Sequence, residues 1–157
     1  MEIIKVNRDY FGNNLNSFVD IVYNHFIDLS NDEKLKHTKD DIKKLIESEN
    51  FRGYIVRYNG KYIIGYILGE ITHLNDGRDV YFISYLYTVK NFRNHGIASK
   101  LIDWAKNNMK KEFVYTMMLI CDTGNKKLVD FYMKKGYMLD MILRRYEKHD
   151  VFSSVII

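Results

Sequence analysis

An α/β fold of the α+β kind, a mixed and mostly antiparallel central sheet of about seven strands flanked by about four helices, is what this 157-residue sequence predicts. Three observations predict it. The runs FRGYIVRYN and KYIIGYILGEITHL are joined by Asn59-Gly60, the strongest short hairpin signal. From 96 to 112, Ile97, Ala98, Leu101, Ile102, Trp104, Ala105 and Met109 form the wide apolar stripe of a helix packed on a sheet. The run FVYTMMLIC is near-continuously apolar and rich in large side chains, as a buried central strand should be.

Taken in order, residues 2–6 read as a short strand, and residues 15–29 as a helix with Leu15, Phe18, Val19, Val22, Phe26 and Leu29 at helical spacing. A second helix starts at Thr38, which precedes the acidic pair Asp40 and Asp41, and runs to about Glu49 with Ile42, Leu45 and Ile46 inward. The two hairpin strands come next. A third strand, DVYFISYLYTV, follows the turn at 75–77 and completes a meander. After the 96–112 helix and the FVYTMMLIC strand, a helix is expected over 125–135, stopped by Gly136. Two strand-like runs, YMLDMILRRY and VFSSVII, close the chain.

Composition fits one soluble globular domain spanning 1–157, with 46% hydrophobic and 28% charged residues and no proline to suggest linkers. The opening MEIIKVNRDY is broken by Glu2, Lys5, Arg8 and Asp9, so no secretory signal is read. The longest wholly apolar stretch, Met117 to Cys121, is far short of the ~20 residues that span a bilayer. Cys121 is the single cysteine, and the five histidines show no ligand spacing, so no disulfide and no metal site are expected. A cytoplasmic, reducing location follows as the expectation. Charge is uneven: residues 1–80 carry net −2 and residues 81–157 net +6. The second half is either a solvated basic surface or one that attracts an anionic ligand, nucleic acid or a phosphate-bearing cofactor.

The anion site is legible in NFRNHGIASKL, where a strand runs through a short loop into a helix at Gly96. A helix start exposes unspent N–H groups at its positive end. Gly96 keeps a Cβ out of the way, Ala98 is nearly as open, Ser99 can add a hydroxyl and Arg93 adds charge. The pattern lacks the Gly-Lys-Ser/Thr of a P-loop and the three glycines of a dinucleotide fingerprint.

The run LYTVKNFRNHGIASKL resembles the acyl-CoA-binding segment of the GNAT superfamily of N-acetyltransferases, Arg/Gln-x-x-Gly-x-Gly/Ala at a helix start, through Arg93, Gly96 and Ala98. Downstream, NKKLVDFYMKKGY is similar to the family's second pattern through Asn125, Phe131, Tyr132, Lys134, Gly136 and Tyr137. The resemblance spans the element order of the whole chain and implies a GNAT-like fold with acetyl-CoA as cofactor. It implies that backbone groups of Asn94, His95, Gly96, Ile97, Ala98 and Ser99 hold the pyrophosphate, and that Leu86, Tyr87 and Thr88 pair with the pantetheine arm like an added strand. It also puts Asn125 near the pantetheine and Tyr132 by the thioester sulfur. Independently, seven residues of helix rise about 10 Å, so Asn125 and Tyr132 share a face and can meet one extended ligand.

Acetyl transfer to an amine needs a neutral nucleophile, a polarised carbonyl and a proton for the departing thiolate. Tyr132 is the candidate general acid, and a backbone N–H at Thr88 or its neighbour the candidate polariser. Several family members carry a glutamate on the strand before the phosphate loop, and aligning on Arg93 puts Ser84 there. Glu70 on the preceding strand, or His73 after it, could act instead through a water. The candidate catalytic set is Tyr132, Glu70 and Ser84.

A side-chain amine has a pKa of about 10.4 and is almost wholly charged at neutrality, whereas an α-amine near 8 is roughly one-tenth neutral. A site without a strong base suits the α-amine. The C-terminal run is similar to the end of protein N-terminal (α-amino) acetyltransferases, with Tyr146 matching one of a tyrosine pair that binds peptide and Arg145 standing at the other position. The expected acceptor is a peptide N-terminus, with small amines such as polyamines as the alternative and a non-catalytic acyl-CoA-binding module as a different class. No membrane partner is expected, nucleic acid is disfavoured, and the chain is expected as a monomer or homodimer.

Overall fold

A computed structural model describes residues 1–27 and 37–156. Seven strands form one sheet in the order β1-β2-β3-β4-β5-β7-β6. They are β1 Glu2–Val6, β2 Phe51–Tyr58, β3 Tyr62–His73, β4 Asp79–Thr88, β5 Thr116–Asp122, β6 Met138–Leu139 and β7 His149–Val155. All neighbours pair antiparallel except β4 and β5. The helices among the described residues are α1 Arg8–Phe11, α2 Leu15–Ile27, α3 Lys39–Glu47, α4 Ile97–Lys111 and α5 Lys126–Lys134.

Local chemistry accounts for most boundaries. Asn59 and Gly60 both take left-handed backbone, with φ of 54° and 65°, which is the conformation a tight hairpin between β2 and β3 demands. Thr38 and Asp41 cap α3 reciprocally: the Thr38 hydroxyl accepts from the Asp41 N–H at 3.1 Å and the Asp41 carboxylate from the Thr38 N–H at 2.9 Å. That second bond is the main reason the Asp41 carboxyl lies below its ordinary pKa.

Each sheet face carries its own core. Leu101, Ile102, Ala105 and Met109 of α4 pack with Tyr54, Ile67, Tyr81 and Ile83 on one face. Phe18 and Val22 of α2 and Ile42 and Ile46 of α3 pack with Ile55, Tyr66, Leu68 and Tyr85 on the other.

Two expectations needed correction. The short α1 was not foreseen, because four residues are too few to show a period; Asn7 starts it by accepting from the Tyr10 N–H at 2.9 Å. The run YMLDMILRRY forms a strand only at Met138–Leu139. Two buried carboxylates break it. Asp140 accepts from the N–H groups of Ile142 and Leu143, from Ser153 Oγ and from both terminal nitrogens of Arg78. Asp150 accepts from the N–H groups of Arg145, Tyr146 and Val151 and from Arg144 Nε. N–H groups that a strand would spend on its neighbour are spent here on carboxylates, and the chain loops. The final positions of the 15–29 helix, Asp28 and Leu29, lie outside the described residues.

The Arg78 guanidinium holds the Asp140 carboxyl well below the usual carboxylate range. A depressed native pKa means that this stabilisation is complete above the unfolded value near 4 and is lost only as the pH falls through the native value. Asp140→Ala should therefore lower unfolding free energy by about 3 kcal/mol at pH 7, read by urea denaturation, because Arg78 and two loop amides lose their acceptor. The gap between variant and wild type should narrow in acid below about pH 4.

Candidate functional site

The site begins with one extra residue in β4. Along β3 and β4, Gly69 pairs with Ile83 and Leu68 with Tyr85, so Ser84 has no partner and forms a bulge. The bulge reverses the facing of everything after it. Tyr81 and Ile83 point into the α4 core, whereas Tyr85 and Tyr87 pack on the α2 side. Gly69 permits the bend, since a Cβ there would stand 2.4 Å from the Phe82 carbonyl oxygen.

Just before the bulge, β4 also leaves β5. Their parallel register covers Val80–Thr116, Tyr81–Met117 and Phe82–Met118 and then stops, while β5 continues to Asp122 paired with β7. The β4 residues beyond Ser84, among them Leu86, Tyr87 and Thr88, therefore pair with β3 on one edge and, among the described residues, have no strand partner on the other.

At the head of this opening lies the start of α4. Asn94 and Gly96 both have left-handed φ, 65° and 76°. No neighbour lies within 4 Å of where a Gly96 Cβ would be, so the backbone conformation and not packing calls for glycine. The first helical bond runs from the Lys100 N–H to the Gly96 carbonyl at 3.0 Å, and among the described residues the N–H groups of Ile97, Ala98 and Ser99 donate to no backbone carbonyl. The loop is self-supporting: Arg93 Nε donates to the Thr88 carbonyl at 2.9 Å, and His95 Nδ1–H to the Arg93 carbonyl at 2.8 Å. His95 is exposed. The Ser99 hydroxyl accepts from Lys135 Nζ at 2.9 Å.

At the other end, Asn125 caps α5, its Oδ1 accepting from the Leu128 N–H at 3.1 Å, which leaves its Nδ2 group for another partner. Tyr132 is 7% exposed and packs edge-to-face on Tyr137 at 5.5 Å. Among the described residues, the fully buried hydroxyls without a partner are those of Tyr54 and Tyr137. Burial, with a smaller push from Cys121, raises the Tyr132 phenol far above its ordinary value and keeps it protonated. Burial likewise pushes the Cys121 thiol up to about 11, which favours the neutral thiol over the thiolate at neutral pH.

Glu70 lies opposite Phe82 at the approach to the bulge and shares the α2-side face with Leu68. It is half-buried, and its carboxylate makes no hydrogen bond or ion pair among the described residues. His73 is a different case. It sits at the far end of β3, exposed and bonded to Asp79 at 2.6 Å, away from the opening. Tyr146 is 80% exposed in the loop before β7, with φ of 56° and the Arg144 guanidinium 4.4 Å from its ring centre, and it belongs to no strand.

One group was missed from sequence. His25 of α2 shares a 2.7 Å hydrogen bond with the Tyr66 hydroxyl and stacks on Tyr87 at 4.0 Å, while Arg93 lies 5.2 Å from the same Tyr87 ring. Burial first and Arg93 second lower the His25 pKa, favouring the neutral ring. A signal existed: His25 continues the inward stripe of Phe18 and Val22 at helical spacing. The described residues contain no group of three or more His, Cys, Asp or Glu that could hold a metal, and no helix among them is long and apolar enough to cross a membrane.

The fold has many solved counterparts. Tetrahymena GCN5 superposes with a TM-score of 0.71 at 15% identity, covering 100% of this chain and 97% of that one. A NatC complex bound to Gag peptide and CoA matches with a TM-score of 0.71 at 20% identity over 99% and 98% of the two chains. An aminoglycoside acetyltransferase from an uncultured soil metagenomic sample matches with a TM-score of 0.68 at 17% identity over 93% and 94%. No curated protein matches by sequence. The model of the acetyltransferase (GNAT) family matches residues 19–137, which include α2 from its fifth residue onward, the bulged β4, the α4 start and all of α5. The chain belongs to the GNAT acetyltransferase family.

Proposed function

We propose that this protein is an acetyl-CoA-dependent N-acetyltransferase in which a primary amine attacks the thioester directly within a ternary complex. The observation that carries this reading is the parting of β4 from β5, together with the unspent helix N–H groups at the start of α4 and the Tyr132 phenol on α5, the helix that packs on β5. An extended ligand with an anion at its head and a reactive carbonyl farther along suits that arrangement.

The N–H groups of Ile97, Ala98 and Ser99, with Asn94, His95 and Gly96 shaping the loop and Arg93 adding charge, would hold the pyrophosphate. The free edge of Leu86, Tyr87 and Thr88 would pair with the pantetheine amides, as a peptide adds to a sheet edge, and Asn125 Nδ2 would donate to the same arm. Bound there, acetyl-CoA supplies an electrophilic thioester carbonyl and a thiol leaving group. An N–H from the β4 edge beyond the bulge would polarise the carbonyl oxygen. Tyr132 would donate a proton to the departing sulfur, and its raised pKa keeps that proton in place until the negative charge arrives.

Glu70 would take the amine proton through a water, having no competing partner among the described residues; Ser84, at the bulge itself, would orient that water. An α-amine, roughly one-tenth neutral at pH 7, needs least from such a base. That favours a peptide N-terminus as acceptor, with exposed Tyr146 at its entrance. Small amines are the second reading, and a metagenomic aminoglycoside acetyltransferase of the same fold keeps it open.

Acetylation of a peptide panel with free α-amines should exceed that of polyamines and aminoglycosides, read as thiol release from acetyl-CoA; no release with any acceptor would leave only a CoA-binding module. Tyr132→Phe should cut kcat about 100-fold and leave CoA affinity within a factor of three. Glu70→Gln should cost about 10-fold or more in kcat, again without weakening CoA. Gly96→Ala forces a Cβ into left-handed backbone at a cost of about 1 kcal/mol and should weaken CoA binding, measured by calorimetry.

A further inference from the structure

The ammonium of Lys135 lies in the first turn of α4 although Lys135 caps the end of α5. Its Nζ donates to Ser99 Oγ at 2.9 Å and to Asp103 Oδ1 at 2.6 Å, and its side chain is only 19% exposed. Ser99 is the third residue of α4, one of those with an unspent N–H. We propose that Lys135 is a positioning residue for the anion end of the site, acting through the Ser99 hydroxyl, and this rests on the acetyl-CoA reading above.

The argument is one of hydrogen-bond capacity. A serine hydroxyl has one proton to give and lone pairs to receive. With the ammonium donating to its oxygen, its proton cannot point back at Lys135 and is left to donate outward. A hydroxyl polarised by a cation is also a stronger donor, because hydrogen bonds in a chain reinforce one another. Ser99 thus becomes a preset donor beside the backbone N–H groups, and the cation adds favourable potential where the phosphate charge would lie. Asp103 holds the ammonium in place and leaves it one proton free.

The same contact ties the two ends of the site together. Tyr132 lies one helical turn before Lys135 on α5, so the bridge to Ser99 and Asp103 fixes α5 against the start of α4. A merely structural clamp would make the same bonds. The two roles differ in what they do to ligands with and without a pyrophosphate.

The test compares CoA with pantetheine, which lacks the pyrophosphate, by calorimetry and by NMR titration into the millimolar range, for wild type, Lys135→Met, Lys135→Arg, Ser99→Ala and the double variant Lys135→Met/Ser99→Ala. Loss of CoA affinity by about 10-fold in Lys135→Met is expected, the scale of a hydrogen bond to a charged group. Ser99→Ala should lose a similar amount, the double variant little more than either alone, and Lys135→Arg should recover most of it. Pantetheine affinity should change less than twofold. Equal losses for CoA and pantetheine would reduce Lys135 to a clamp and overturn the proposal, as would unchanged CoA affinity in Lys135→Met or additive losses in the double variant. Should Lys135→Met fail to fold, Ser99→Ala decides alone: its CoA affinity must fall and its pantetheine affinity must not. Wild-type protein that binds no CoA would instead overturn the cofactor reading itself.

Discussion

The extra residue at Ser84 is the constraint on which the rest depends. A regular β4 would keep Tyr85 on the face of Tyr81 and Ile83 and could continue beside β5. With one residue inserted, Tyr85 and Tyr87 turn to the α2 side, and β4 is bent with its second edge bare. An unpaired internal edge is a cost that folded proteins rarely leave standing. It is accompanied by a helix start at Ile97, Ala98 and Ser99 whose N–H groups, among the described residues, have no backbone acceptor. Donors left unsatisfied together point to a ligand that satisfies them together.

The electrostatics follow from the same layout. Two cations of the basic second half act locally: Arg93 braces the loop through the Thr88 carbonyl, and Lys135 reaches the first turn of α4 from another helix. Around Tyr132 the polarity falls. Tyr132 and Cys121 are both held in their neutral forms by burial. Cations near the α4 start and neutral, buried groups around Tyr132 suit a ligand charged at one end and reactive at the other.

Much of this was legible in the sequence, and the rest was hidden for physical reasons. The left-handed pair Asn59-Gly60, the Thr38 cap and the α4 stripe are local signals whose energetics lie within a few residues, and each appears where expected. The loop at 140–148 was misread as strand because its pattern is apolar; what folds it is Arg78, more than sixty residues earlier, meeting Asp140. The Ser84 bulge was equally invisible, since a bulge is a property of two strands and not of one. For the same reason Glu70 could be named but not located beside the bulge, and His25 passed as one more member of an apolar helix until Tyr66 and Tyr87 appeared against it.

The central claim is that the bare edge of β4 and the start of α4 are one cofactor site. Amide-resolved hydrogen exchange with and without CoA tests it most directly. The account predicts slowed exchange at amides on the free edge of β4 among 85–88 and at Ile97, Ala98 and Ser99, with β1 and α3 unchanged. Protection confined to other elements, or none at saturating CoA, would contradict it.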